Sequence, residues 1–240
     1  MKAVLLFLFF ACANASLLSQ QNFEIKKFSE AKDVSVQVDY QYFLHVPENK
    51  ELAEDELLPL IVFLHGAGER GSDADLLTVH GPPKLIKAGE DMPFIVIAPQ
   101  CPANQRWDAQ SLQLFIESMV AQLPVDQSRI YLTGLSMGGF GTWDVSIANP
   151  DYYAAIAPIC GGSDTNAWDA PRAIKDLPTW AFHGAMDSVV PLENTSNIIM
   201  SLRRAGGNPK YTIYESAGHD SWTETYENPE LYEWFLSHRK

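Results

Sequence analysis

Ser136 lies in the run Gly134-Leu135-Ser136-Met137-Gly138, with a further glycine at Gly139. A serine hydroxyl attacks a carbonyl carbon only when a nearby base removes its proton. Two downstream residues suit the supporting roles. Asp187 follows the apolar run Pro178-Thr179-Trp180-Ala181-Phe182-His183-Gly184, and His219 follows Tyr211-Thr212-Ile213-Tyr214-Glu215 within Ser216-Ala217-Gly218-His219-Asp220. Serine, acid and histidine in that chain order are what a nucleophile elbow requires. The chemistry they would perform is acyl transfer through a covalent intermediate.

Each of the three must be held by an element. Arg129 to Thr133 reads as a buried parallel strand and Met137 to Ala148 as a helix. The chain must turn sharply between them and leave the Ser136 hydroxyl exposed, and side chains at the flanking glycines would clash there. Asp187 and His219 fall in loops at the C-terminal ends of strands, the edge where open α/β sheets build their sites. A fourth strand, Pro59 to Leu64, leads into His65-Gly66-Ala67-Gly68-Glu69-Arg70-Gly71. Backbone N–H groups of Ala67 in that loop and of Met137 beside the serine are the expected donors to a developing oxyanion.

Rival residues are weaker. Asp164 follows the strand Ala154 to Cys160 and is an alternative acid. Asp220 reads as a cap for the next helix. His65 and His183 each end a strand before glycine and read as histidines hydrogen-bonded within a turn, while His45, His80 and His238 look like surface or loop residues. The glycines from Gly134 to Gly141 do not fit a dinucleotide fingerprint, because the serine takes the middle glycine's place.

Strand-His-Gly-x-Gly, Gly-x-Ser-x-Gly-Gly, Gly-x-x-Asp and Gly-His in this order resemble the α/β-hydrolase superfamily. More narrowly, His65 to Gly71, Pro99-Gln100-Cys101-Pro102 with Trp107, and Leu135 to Gly139 are similar to phospholipase/carboxylesterases and to polyhydroxybutyrate-depolymerase-like and feruloyl-esterase-like enzymes. The similarity runs from about Val38 to the C-terminus. It implies a single α/β domain, a mostly parallel sheet with helices on both faces. It leaves the substrate open, since one fold hosts many chemistries.

The 240 residues suit one domain with a sizeable core. Lys2, the apolar run Ala3 to Ala13 and Ala13-Asn14-Ala15 read as a secretory signal over 1–15, leaving the hydrolase domain at 16–240. That run is too short to span a bilayer. The expected location is secreted, or periplasmic in a bacterium. Net charge of -13 argues against nucleic acid or an anionic membrane as partner. Nothing in the sequence sets an oligomeric state.

Of three cysteines, Cys12 leaves with the signal. The strands before Cys101 and Cys160 are expected to be separated by two others, about 14 Å at about 4.8 Å spacing. A bridge tolerates at most about 7 Å between Cα atoms, so two buried thiols are favoured unless a loop excursion after Cys101 closes the gap. No Cys-x-x-Cys or His-Glu-x-x-His is present, and neither a metal nor a cofactor is expected.

Phe23 to Phe28 and Val34 to Val46 suggest two antiparallel lead-in strands. Helices are expected near Pro83 to Lys87, Ser111 to Gln122, Asn194 to Ala205 and Pro229 to Ser237 as well as Met137 to Ala148, an alternation that implies a mostly parallel sheet covered on both faces. Glu48 to Glu56 reads as a solvated loop. The connection from Gly162 to Leu177 has room for one short helix, so an open cleft without a large lid is expected.

Trp107, Trp168 and Trp222 fall near the active edge and are candidate substrate contacts, whereas Trp143, Trp180 and Trp234 are expected in the core. Glu69 and Arg70 would pair to shape the oxyanion loop, or one would meet substrate. Three functions follow in order: a carboxylic-ester hydrolase acting on small or polymer-borne esters; a serine peptidase, disfavoured because no companion domain is evident to select peptides; and a silent binding module, disfavoured because Ser136 and His219 are both retained.

Overall fold

The computed structural model describes residues 37–47, 56–163 and 170–240. The signal over 1–15, the expected strand Phe23 to Phe28, most of the acidic stretch, Asp164 and Trp168 lie outside these.

Seven strands form one sheet: β1 (Tyr42–His45), β2 (Leu58–Leu64), β3 (Ile95–Pro99), β4 (Val125–Leu135), β5 (Ala155–Ile159), β6 (Trp180–Gly184) and β7 (Lys210–Tyr214), in spatial order β1-β3-β2-β4-β5-β6-β7. All neighbours run parallel except β1, which pairs antiparallel with β3 at the edge, Tyr42 opposite Pro99 and His45 opposite Val96. The expected second lead-in strand is thus shortened to four residues, the length that finds a partner on β3.

Every residue of β2, β3, β5 and β6 is buried, as parallel strands covered on both faces require. Alternation along β2 divides the core. Leu60, Val62 and Leu64 face a cluster with Ile97, Ile116, Leu132, Trp143 and Leu202, whereas Ile61 and Phe63 face Tyr131, Phe182, Tyr226 and Phe235.

The covering helices are α1 (Gly81–Lys87), α2 (Ala109–Gln122), α3 (Met137–Ala148), α4 (Glu193–Arg204), α5 (Trp222–Glu227) and α6 (Pro229–Leu236). Asp108 caps α2 by accepting from the Ser111 N–H at 2.8 Å, and Asn228 caps α6 with Pro229 in its first turn. The helix α5 was not expected. Its starting signal was legible, because the Asp220 carboxylate accepts from the Thr223 N–H at 3.0 Å as the expected cap. Between Gly162 and Leu177 the described residues form a single 3-10 turn, Ala170–Ile174.

Candidate active site

The β4-to-α3 junction holds Ser136 at φ 52°, ψ -117°, a left-handed strain found where an active site needs it. Glycine at 138 is indispensable to that turn, since a Cβ there would lie 1.9 Å from the Leu64 carbonyl oxygen. The loops after β6 and β7 meet through a second close approach. A Cβ on Gly184 would stand 2.1 Å from the Gly218 carbonyl oxygen, so the missing side chain lets the Asp187 loop lie against the His219 loop.

The three side chains converge. His219 Nε2 is 2.9 Å from Ser136 Oγ, and His219 Nδ1 is 2.8 Å from Asp187 Oδ2. Asp187 Oδ1 accepts from the N–H groups of Val189 and Val190 at 2.8 and 2.9 Å. Burial pushes the Asp187 carboxyl up in pKa, but the hydrogen bonds from His219, Val190 and Val189 outweigh it, and the group ends below the usual carboxylate value. An ionised Asp187 facing Nδ1 fixes that nitrogen as the protonated one and leaves Nε2 free to accept the serine proton.

Ala67 opens a 3-10 turn and Met137 opens α3, so the N–H of each has no partner within its own element. Ala67 and Met137 line a cleft of 310 Å³ with Ser136, Arg70, Arg106 and Phe140. Glu69 holds the Ala67 loop from inside, where its Oε2 accepts the Gly66 N–H at 2.9 Å. Glu69 and Arg70 do not pair with each other: Glu69 is buried, and Arg70 turns outward to donate to the carbonyls of Ala67 and Gln105.

Trp107 is a correction. It is buried rather than lining the cleft, its Nε1 donates to the His65 carbonyl at 3.1 Å, and its ring meets the His65 ring edge-on at 4.9 Å. Trp222 flanks the site, edge-on to His219 at 5.2 Å and to His80 at 5.5 Å. Trp143 and Trp180 are in the core as expected, and Trp234 is packed against it.

His65 and His183 are both hydrogen-bonded, but each reaches beyond its own turn, His65 to Cys101 and His183 to Val190 and Thr195. The His65 Nε2 accepts the Cys101 N–H at 2.9 Å and its Nδ1 donates to the Gly66 carbonyl at 2.6 Å, a neutral ring whose pKa burial lowers to about 4. His183 has a further role that the sequence did not expose: its Nε2 lies 3.3 Å from Asp187 Oδ2. Cys101 and Cys160 are free, buried thiols, with two strands between those they follow.

A larger hollow of 640 Å³, floored by Phe94, Tyr226 and Tyr232, lies elsewhere. Among the described residues no serine, cysteine or histidine lines it, so volume does not decide where the chemistry belongs.

The chain belongs to the phospholipase/carboxylesterase family of α/β-hydrolases, whose defining sequence pattern matches residues 102–230. It is 30% identical over 243 residues to poly(3-hydroxyalkanoate) depolymerase C of Paucimonas lemoignei, covering 78% of this chain and 56% of the depolymerase. A crystal structure of a thermostable esterase superposes with a TM-score of 0.72 at 36% identity, over 88% of this chain and 62% of that one. The acylaminoacyl peptidase of Pyrococcus horikoshii superposes at 0.63 with 17% identity, over 85% of this chain and 39% of the peptidase; that likeness is one of fold. The chain thus spans a little over half the length of the depolymerase and less than two thirds of the esterase.

Proposed function

We propose that this chain is a secreted serine hydrolase that cleaves carboxylic esters through an acyl-enzyme, with Ser136 as nucleophile, His219 as base and Asp187 as the residue that orients the base. The continuous line of hydrogen bonds Ser136–His219–Asp187 carries the reading. Ser136 Oγ attacks the ester carbonyl while His219 Nε2 takes its proton. The N–H groups of Ala67 and Met137 hold the oxyanion, a contribution whose loss typically costs about 10²–10³ in turnover per donor. His219 then returns the proton to the departing alcohol, and water releases the acid by the same steps in reverse. Secretion rests on the signal pattern at 1–15. Similarity to a polyester depolymerase supports esters carried on small molecules or on polymers as substrates, and the cleft beside Ser136 is open to them.

An aryl ester and an anilide of the same acyl group separate esterase from peptidase. The ester is expected to turn over much faster, and Ser136→Ala to remove that turnover while the protein stays folded. A faster anilide would favour the peptidase, and a folded Ser136→Ala protein of near-normal rate would overturn both.

A further inference from the structure

Cys160 follows β5 next to the hydrogen-bonded line, and nothing in the proposed hydrolysis uses it. One ligand atom each from Cys160, Asp187 and His219 lie within 4.8 Å of one another. Zinc takes sulfur at about 2.3 Å and imidazole nitrogen or carboxylate oxygen at about 2.0–2.2 Å, which places tetrahedral ligand atoms about 3.5 Å apart. Side-chain shifts on the order of 1 Å would therefore close a three-ligand shell of that size. Ser221 adds an independent observation. Its hydroxyl lies against the Cys160 thiol, fully buried and without a well-formed hydrogen bond, which leaves an oxygen to complete the shell.

We propose that Cys160, Asp187 and His219 form an inhibitory site for one soft divalent cation of the zinc or cadmium class. Thiolate, carboxylate and imidazole are the ligand set that such an ion selects. Two anions and a dication sum to zero charge, which suits a buried centre. Binding requires the thiol proton to leave for solvent. Because Nδ1 is the ring nitrogen that faces Asp187, a cation seated between ring and carboxylate takes Nδ1. The ring's single proton then moves to Nε2, the atom that must accept from Ser136, and the base is lost. That last consequence rests on the proposed hydrolytic role of Ser136 and His219; the site itself does not.

The test is equilibrium dialysis of chelator-stripped full-length protein against Cd²⁺, alongside the ultraviolet thiolate-to-cadmium absorption. A Cys12→Ala/Cys101→Ala protein, in which Cys160 is the remaining cysteine, is expected to bind one ion per chain with that absorption. Cys160→Ala should bind at least about tenfold more weakly, since losing even an outer-shell partner costs 10–100-fold. Should it not fold, Cys160→Ser replaces it, and the absorption reads the sulfur ligand directly. Ester turnover of the wild type should fall in step with occupancy. Absence of stoichiometric binding, absence of the absorption at saturation, or equal affinity in Cys160→Ala overturns the site. Binding without any ester turnover at any metal level would instead overturn the proposed hydrolase and leave the site standing.

Discussion

Asp187 Oδ2 is shared: His219 Nδ1 stands 2.8 Å from it and the fully buried His183 Nε2 3.3 Å. His183 also bonds the Val190 carbonyl at 2.9 Å and Thr195 Oγ1 at 2.8 Å. Val190 O is only an acceptor, so Nε2 carries a proton, and Asp187 Oδ2 lies 3.3 Å from that same nitrogen. His183 thereby sets a buried N–H close to the same Asp187 oxygen that His219 faces. His183→Ala leaves a cavity and unpaired buried acceptors, and is expected to cost about 2–4 kcal/mol of stability and to lower kcat at a temperature where the variant is still folded. Thermal unfolding and ester kinetics on the same sample check both, and an unchanged kcat would show that Asp187 needs no such brace.

Glu69 braces the other half of the site. Its carboxylate holds the Gly66 N–H next to Ala67 and has His80 Nε2 3.7 Å away. Glu69→Ala should let the Ala67 N–H swing from the oxyanion position proposed for it. Full loss of one donor costs about 10²–10³, so a misplaced one is expected to lower kcat about tenfold with little change in KM. A rise in KM at constant kcat would mean that Glu69 serves ground-state binding instead.

Two glycines close to the proposed site, Gly138 two residues from Ser136 and Gly68 next to Ala67, should respond very differently. Gly138→Ala drives a methyl to 1.9 Å from the Leu64 carbonyl, whereas a Cβ at Gly68 meets nothing within 4 Å. The first is expected to prevent folding or to cost well over about 3 kcal/mol. Gly68→Ala should stay within about 0.5 kcal/mol of the wild type. Denaturant midpoints of the two variants decide, and a well-folded Gly138→Ala protein would show that strand and helix can separate there.

Much of this was legible before any coordinates. The glycines around Ser136 and the chain order of Ser136, Asp187 and His219 encode a geometry that local sterics dictate. Pairings across distant loops were not legible. Trp107 looks like a cleft residue because it follows a strand end. Its indole instead finds the buried His65 carbonyl, a partner 42 residues away. His183 reads as a turn histidine, and its reach to Asp187 depends on how the loop after β6 folds back. Helix α5 is six residues long, too short for an apolar period to show.

His65 links stability to pH. Cys101 N–H occupies Nε2, so a second proton would break a buried bond, and burial lowers the ring's pKa from 6.5 to about 4. The unfolded chain then binds the more protons between those values, and stability falls as pH drops through that window. The effect is on the order of 3 kcal/mol at full extent. Unfolding free energies at pH 7 and pH 4.5 are expected to differ in that direction, and His65→Gln should flatten the slope. An equal slope in the variant would assign the acid sensitivity to other groups.

The most direct trial of the central claim is peptide mapping after labelling the native protein with a fluorophosphonate. One adduct per chain is expected, on Ser136, and none in a folded His219→Ala variant treated alike. An unlabelled native protein, or an adduct on any other residue, contradicts the account.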